Sequence, residues 1–247
     1  MTTQVQTATS LKHVGGETLT DAAYQALRRD IIHGTREPGE RLRITRLADL
    51  YDVGPTPLRE ALQRLSADGL VIANGNRGFT VISLDVAEFH DLNIARTALE
   101  REALRLSLTH GDEEWEAGVV SAAYRMQKAD ATLSEPDPDL DRWEAANEAF
   151  HLATVAACGS NWLLRLRKNL HDQCERYRRA SVYLRRGTRD LAAEHAAIVH
   201  AVLARDIPAA CDLTEAHYRA TTANLIADFA ARDADIAAAA PNGDDAA

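Results

Sequence analysis

The chain has 247 residues, 46% hydrophobic but only 5% aromatic, with a formal net charge of −9. That length suits one large or two ordinary domains, and cores filled by Leu, Val, Ile and Ala favour closely packed helices. Three scattered cysteines (Cys158, Cys174, Cys211) exclude a disulfide framework, and no charge-free apolar run approaches the ~18 residues of a membrane span.

Residues 1–84 carry 10 Lys/Arg against 9 Asp/Glu, and the remainder 18 against 28. The acidity therefore belongs to the second part, and the first can still approach phosphates through local arginines. The division predicts two modules. The polar stretch 1–16 lacks the apolar segment of a secretory signal and reads as a flexible arm, so a cytoplasmic location is expected.

Leu19 to His33 follows as an amphipathic helix with Ala23, Leu27, Ile31 and Ile32 on its inner face, ended by Gly34. After the turn Arg36-Glu37-Pro38-Gly39-Glu40, a second short helix spans Ile44 to Asp52, and Gly54-Pro55 breaks it. A third helix begins with Thr56 as the expected N-cap and Pro57 at the first helical position. Leu58, Ala61, Leu62 and Leu65 then mark its apolar face, leaving Thr56, Arg59 and Gln63 opposite. Arg59 near the positive end of a helix is disfavoured by a few tenths of a kcal/mol unless a polyanion lies opposite. Two β-prone runs, 70–73 and 78–82, surround Asn74-Gly75-Asn76-Arg77, a hairpin signal. Helix, helix, turn, helix, hairpin over 17–83 predicts a winged helix-turn-helix that reads DNA.

From Asp85 the pattern is all-helical to about residue 231. Six helices are expected, near 86–109, 112–131, 139–157, 160–184, 188–204 and 207–230. The Ala-rich stretch 232–247 has no periodic apolar face and reads as a disordered tail. The fold class is thus mainly α, a winged module followed by a helical bundle.

Taken together, Arg36-Glu37-Pro38-Gly39-Glu40-Arg41-Leu42, Leu47-Ala48, Pro57-Leu58-Arg59-Glu60-Ala61-Leu62, Gly69-Leu70 and Arg77-Gly78 resemble the GntR family of bacterial transcription regulators. The helical part resembles the FCD effector domain of its FadR subfamily, and Leu42-Arg43-Ile44, Val53-Gly54 and Leu65-Ser66-Ala67-Asp68-Gly69-Leu70-Val71 resemble its CsiR-like branch. The resemblance implies a repressor of a catabolic operon, released by a small carboxylate such as the dicarboxylate glutarate. An activator is the alternative. A homodimer on double-stranded, palindromic operator DNA is expected. Many family members place Ser-Arg before the Thr-Pro of the recognition helix, whereas this chain has Gly54 and Pro55. Base reading is then expected chiefly from Arg59, with Thr45, Arg46, Thr56, Gln63, Arg77 and Gly78 completing the DNA-contacting set.

Asn147 and His151 lie four apart on one predicted helix and share a face. A single such histidine is more often a satisfied core or surface residue. The FCD resemblance implies more, because its metal motif of Asp/Asn-x3-His with single histidines on the last two helices falls on Asn147, His151, His195 and His217. Three imidazoles and an oxygen suit a divalent transition metal, Zn²⁺ first, with Ni, Mn or Fe as alternatives. His171 and His200 have no such match and read as surface or packing residues. Arg96 and Glu100, four apart, are either a surface ion pair or, by the resemblance, cavity groups for a carboxylate. Tyr124, Arg125 and Arg178 are further cavity candidates. Three histidines at a metal also admit a metal-dependent enzyme. No nucleophile motif or phosphate loop supports it, and Glu148 and Glu194 adjoin ligands but point about 100° away on a helix.

Overall fold

The computed structural model describes residues 18–75, 78–181 and 189–239, apart from the side chains of 232–239. The arm 1–16, Arg77, the expected break at Gly187 and residues 240–247 lie outside the described residues. Contacts separate the chain into two units at Leu84/Asp85.

In the first unit, helix α1 (Leu19–Ile32) is capped by Thr18, whose side chain accepts from the Asp21 amide. It buries Ala23, Ala26, Leu27, Ile31 and Ile32. Helices α2 (Ile44–Tyr51) and α3 (Pro55–Ala67) supply Leu47, Tyr51, Leu58, Leu62 and Leu65 to the same core. Burying each such leucine contributes about 1.5–3 kcal/mol. The Tyr51 hydroxyl donates to Asp30 and ties α2 to α1. The wing is the expected hairpin, β2 (Val71–Ala73) and β3 (Phe79–Val81), joined by β1 (Arg41–Leu42) in the order β1-β3-β2. Its register pairs Val71 with Val81 and Leu42 with Phe79. Strand β1 was not expected, since two residues are too short to show alternation. It continues a pairing in which Val81 N–H donates to the Glu40 carbonyl at 2.9 Å and Gly39 N–H to the Val81 carbonyl at 3.0 Å.

Helix α3 starts two residues earlier than expected. Gly54, not Thr56, is its N-cap, in extended geometry (φ −61°, ψ 160°). Pro55 then holds the first helical position, which its fixed φ suits. Two consequences follow: Arg59 moves into the second turn, away from the strongest part of the dipole, and two prolines remove backbone donors from the first. Thr56 alone of the first three residues keeps an N–H.

The second unit begins with α4 (Val86–His110), then α5 (Glu113–Thr132), α6 (Leu140–Val155), α7 (Asn161–Ser181), α8 (Leu191–Leu203) and α9 (Ile207–Ala239). Asp85, Asp112, Asp139 and Asp190 each cap a helix by accepting a backbone N–H, a device worth about 1 kcal/mol apiece. Helix α9 runs past the expected limit near 231 because alanine, the best helix former, needs no apolar face to continue one. Helix α5 packs on α6 and α8, and α9 packs on α4 and α8. Val119, Met126, Phe150, Ile198 and Val202 fill the space between. No helix among the described residues is long and apolar enough to cross a membrane.

Two glycines give a contrast that tests this packing. A Cβ on Gly111 would lie 2.3 Å from the Trp115 ring, whereas one on Gly118 would meet nothing within 4 Å. Gly111→Ala is expected to lower stability by about 1–3 kcal/mol, and Gly118→Ala, mid-helix and exposed, to raise it by up to about 1 kcal/mol. Urea unfolding of both variants checks the sign of each.

Candidate metal centre and ligand cavity

Three helices bring three histidines to one point. His151 on α6, His195 on α8 and His217 on α9 are all buried, and one ring nitrogen from each lies within 4.8 Å of the others. Their ring centroids stand 4.9–5.8 Å apart.

Each ring is held at Nδ1 by a different acceptor. His195 Nδ1 meets Asp130 Oδ2 at 2.7 Å, and His217 Nδ1 meets Glu194 Oε2 at 2.8 Å. His151 Nδ1 meets the Tyr218 hydroxyl at 3.2 Å, and that hydroxyl donates to Glu100 Oε1 at 3.1 Å. An ionised carboxylate only accepts, so the proton sits on Nδ1 in His195 and His217. Because Tyr218 spends its own hydrogen on Glu100, His151 Nδ1–H is the donor in the third pair. All three Nε2 lone pairs are thereby left free. Those of His151 and His195 are buried with no hydrogen-bond partner. Neutral imidazoles with Nδ1–H given to a carboxylate or hydroxyl are the donor set that a divalent metal requires.

The supporting acceptors are themselves fixed. Asp130 also receives the Trp143 indole N–H at 3.0 Å. Glu194 is clasped by Arg189, which also donates to the Thr221 hydroxyl at 2.8 Å. Those bonds to His217 and Arg189 outweigh burial and hold the Glu194 carboxyl down at about 2. Glu100 accepts from Arg167 Nε at 2.9 Å.

The cluster opens onto a cavity of about 640 Å³ walled by α4 through α9. Asn147, 4% exposed, lies on this wall one turn before His151. Arg96 also faces it, stacked 4.0 Å over the Tyr218 ring, with its Nε buried and without a hydrogen-bond partner. Arg178 lines the cavity with its fork taken by Glu144, at 3.0 and 2.8 Å.

Other expected cavity groups lie elsewhere. Glu100 is 2% exposed, but Arg167 and Tyr218 consume its oxygens, and Arg96 Nε stands 4.0 Å away. It is a support for Tyr218 rather than a ligand contact. Tyr124 is 60% exposed on the outer face of α5 beside Lys128, because a helix of this width buries only the stripe holding Trp115, Val119 and Met126. Arg125 is likewise exposed. His171 is fully buried, the packing rather than the surface alternative, with neither ring nitrogen hydrogen-bonded and Glu175 Oε2 4.0 Å from Nε2. The supporting acceptors escaped the sequence reading. Asp130 had a signal: it continues the buried Val119–Met126 stripe by one turn, where an acid is out of place. Glu194 indeed turns away from its neighbour His195, and it does so to reach His217.

On the first unit, Thr45, Arg46, Thr56, Arg59 and Gln63 are all exposed. Gly78 adopts φ +94°, and a Cβ there would approach the Leu42 carbonyl to 3.5 Å.

Residues 91–220 match the FCD domain, and residues 19–81 match the bacterial regulatory proteins of the gntR family. The chain belongs to the GntR family. Among GntR relatives, it is 40% identical over 200 residues to the uncharacterized HTH-type transcriptional regulator BphR of Paraburkholderia xenovorans, covering 81% of this chain and 82% of that one. To the HTH-type transcriptional repressor GlaR of Escherichia coli it is 38% identical over 200 residues, covering 78% and 90%. The solved structure of E. coli McbR/YncC shares the fold, with a TM-score of 0.73 at 20% identity over 86% of this chain and 99% of that one. A GntR regulator from Rhodococcus sp. RHA1 gives 0.70 at 24% identity over 84% and 97%. This GntR protein is a transcription regulator, not an enzyme, and its three-histidine cluster could hold a metal.

Chelator treatment is expected to lower the Tm, one equivalent of Zn²⁺ to restore it, and His195→Ala to abolish both responses in differential scanning fluorimetry. Asp130→Asn and Tyr218→Phe should each weaken metal binding about 10–100-fold with the fold intact, measured by competition with a chromogenic chelator. Burial pushes His151 and His171 well below the ordinary imidazole range and brings His217 to about 4. The unfolded chain therefore takes up protons first, near pH 6.5, so stability is complete above that value and declines as pH falls toward 4. Metal-free protein should melt at a lower temperature at pH 5 than at pH 7.

Proposed function

We propose that this protein is a metabolite-responsive repressor, in which a carboxylate bound at a metal in the helical domain releases the winged domain from operator DNA. The carrying observation is the convergence of His151, His195 and His217, with Arg96 on the adjoining cavity and its Nε without a hydrogen-bond partner. Asn147, His151, His195 and His217 would hold the metal, with Zn²⁺ first among Ni, Mn and Fe, because neutral nitrogen donors with anchored Nδ1–H groups suit it. Bound there, the metal supplies a Lewis-acidic site for one carboxylate oxygen. Arg96 is placed to hold the same anion through charge-assisted hydrogen bonds. Arg178 also lines the cavity, its charge offset by Glu144.

The resemblance to a repressor, GlaR, supports repression over activation, and a cytoplasmic location goes with that role. Glutarate is the first small dicarboxylate to try. The DNA reading rests on the exposed Thr45, Arg46, Thr56, Arg59 and Gln63, with Arg77 and Gly78 from the wing. Arg59 is the base-reading candidate, since an Arg fork on guanine contributes about 1–3 kcal/mol of discrimination. Two such domains in a homodimer would read a palindrome. Ligand binding would shift the dimer between arrangements by a coupling of about 1–3 kcal/mol.

Arg59→Ala is expected to abolish specific operator binding in a gel-shift assay while leaving the Tm unchanged, because the side chain is exposed. Unchanged affinity would remove Arg59 from the base-reading role. A fluorimetric screen of mono- and dicarboxylates, with and without divalent metal, tests the effector. Metal-dependent stabilisation supports the reading, and silence from every acid after loading contradicts it.

A further inference from the structure

The cavity is lined by groups of two kinds. Its lining includes His151, His217 and Arg96 and, one or more helical turns away from the histidines along their helices, Leu140, Trp143, Leu191 and Leu225, with Leu133 and Pro138 besides. At about 640 Å³ it has the size of pockets that enclose drug-sized ligands, well beyond a five-carbon diacid.

Charge limits the ligand as well. Arg178 donates Nε and Nη2 to the Glu144 carboxylate, which offsets its charge, and Arg189 is committed to Glu194 and Thr221. Among the described arginines lining the cavity, Arg96 has a buried Nε with no hydrogen-bond partner. A second carboxylate would share the cavity with Asp137, Asp190 and Asp228, which also line it. Burying an anion against apolar walls without a partner is costly, and nearby carboxylates add repulsion.

We infer that the effector is a monocarboxylate with an apolar body of about six carbons or more, its carboxylate at the His–Arg96 end and its body against the Leu133–Leu140–Leu191 wall. This rests on the reading of the cavity as a carboxylate site, and it replaces the small dicarboxylate within that reading. Leu140, at the first turn of α6 and only half-buried, is the side chain through which specificity is most simply changed.

The test is calorimetric titration of Zn²⁺-loaded full-length protein with hexanoate, 3-phenylpropanoate and glutarate. The two apolar acids are expected to bind at least tenfold more tightly than glutarate. Leu140→Arg should weaken 3-phenylpropanoate about tenfold and strengthen glutarate, with Leu133→Arg as the second variant if the first melts early. Glutarate binding as tightly as the apolar acids, or more tightly, overturns this inference and leaves the carboxylate site standing. Silence from all three, with acetate and lactate silent too, overturns the carboxylate reading itself.

Discussion

The helical domain depends on the bonds that orient three buried imidazole rings. A histidine can present either nitrogen, and burial alone would leave that choice open. Asp130, Glu194 and the Tyr218–Glu100 pair make it for all three rings, so that the free lone pairs converge. The acceptors come from four helices: α5 gives Asp130, α8 gives Glu194, α9 gives Tyr218 and α4 gives Glu100. Much of the bundle's arrangement thus follows from supporting this one cluster, and α7 adds Arg167 to hold Glu100 in turn.

The same device explains why so many charges are buried in a domain of ordinary size. A carboxylate in the interior must be paired or it becomes protonated. Glu100 is paired with Arg167 and Glu144 with Arg178, each by bonds of about 3 Å. Removing one partner from such a pair typically costs about 3–5 kcal/mol, because the other is stranded. These pairs contribute little net stability compared with apolar residues of the same volume. Arg96 beside the cluster shares Glu100 with Arg167, at 4.0 Å against 2.9 Å. Tyr218 joins the two halves: its hydroxyl positions His151, and its ring carries the Arg96 guanidinium.

Much of this could be read from residues. The winged module was legible because its helices carry strong apolar spacing and its hairpin a clear turn signal. What failed there was local: Gly54 rather than Thr56 caps α3, since a Gly-Pro pair can begin a helix as well as break one, and β1 is too short to announce itself. In the helical domain the three histidines were legible through the resemblance to the FCD domain, not through spacing, because a lone His on an apolar face has many meanings. The acceptors behind them were not legible, since their partners lie 23 to 67 positions away in sequence. Tyr124 failed because a side chain's type says nothing of which face of α5 it occupies. The character of the cavity wall was not legible either, as it is assembled from α5, α6, α8 and α9.

The central claim is that a carboxylate at the histidine cluster controls the grip of the winged domain on DNA. It is tested most directly by fluorescence anisotropy of Zn²⁺-loaded protein on DNA that the protein itself selects from a random pool, titrated with the tightest-binding carboxylate. The account predicts at least a fivefold loss of DNA affinity for the wild-type chain and no change for His195→Ala. An equal response from both proteins, or none from the wild type when the cavity is saturated, would contradict it.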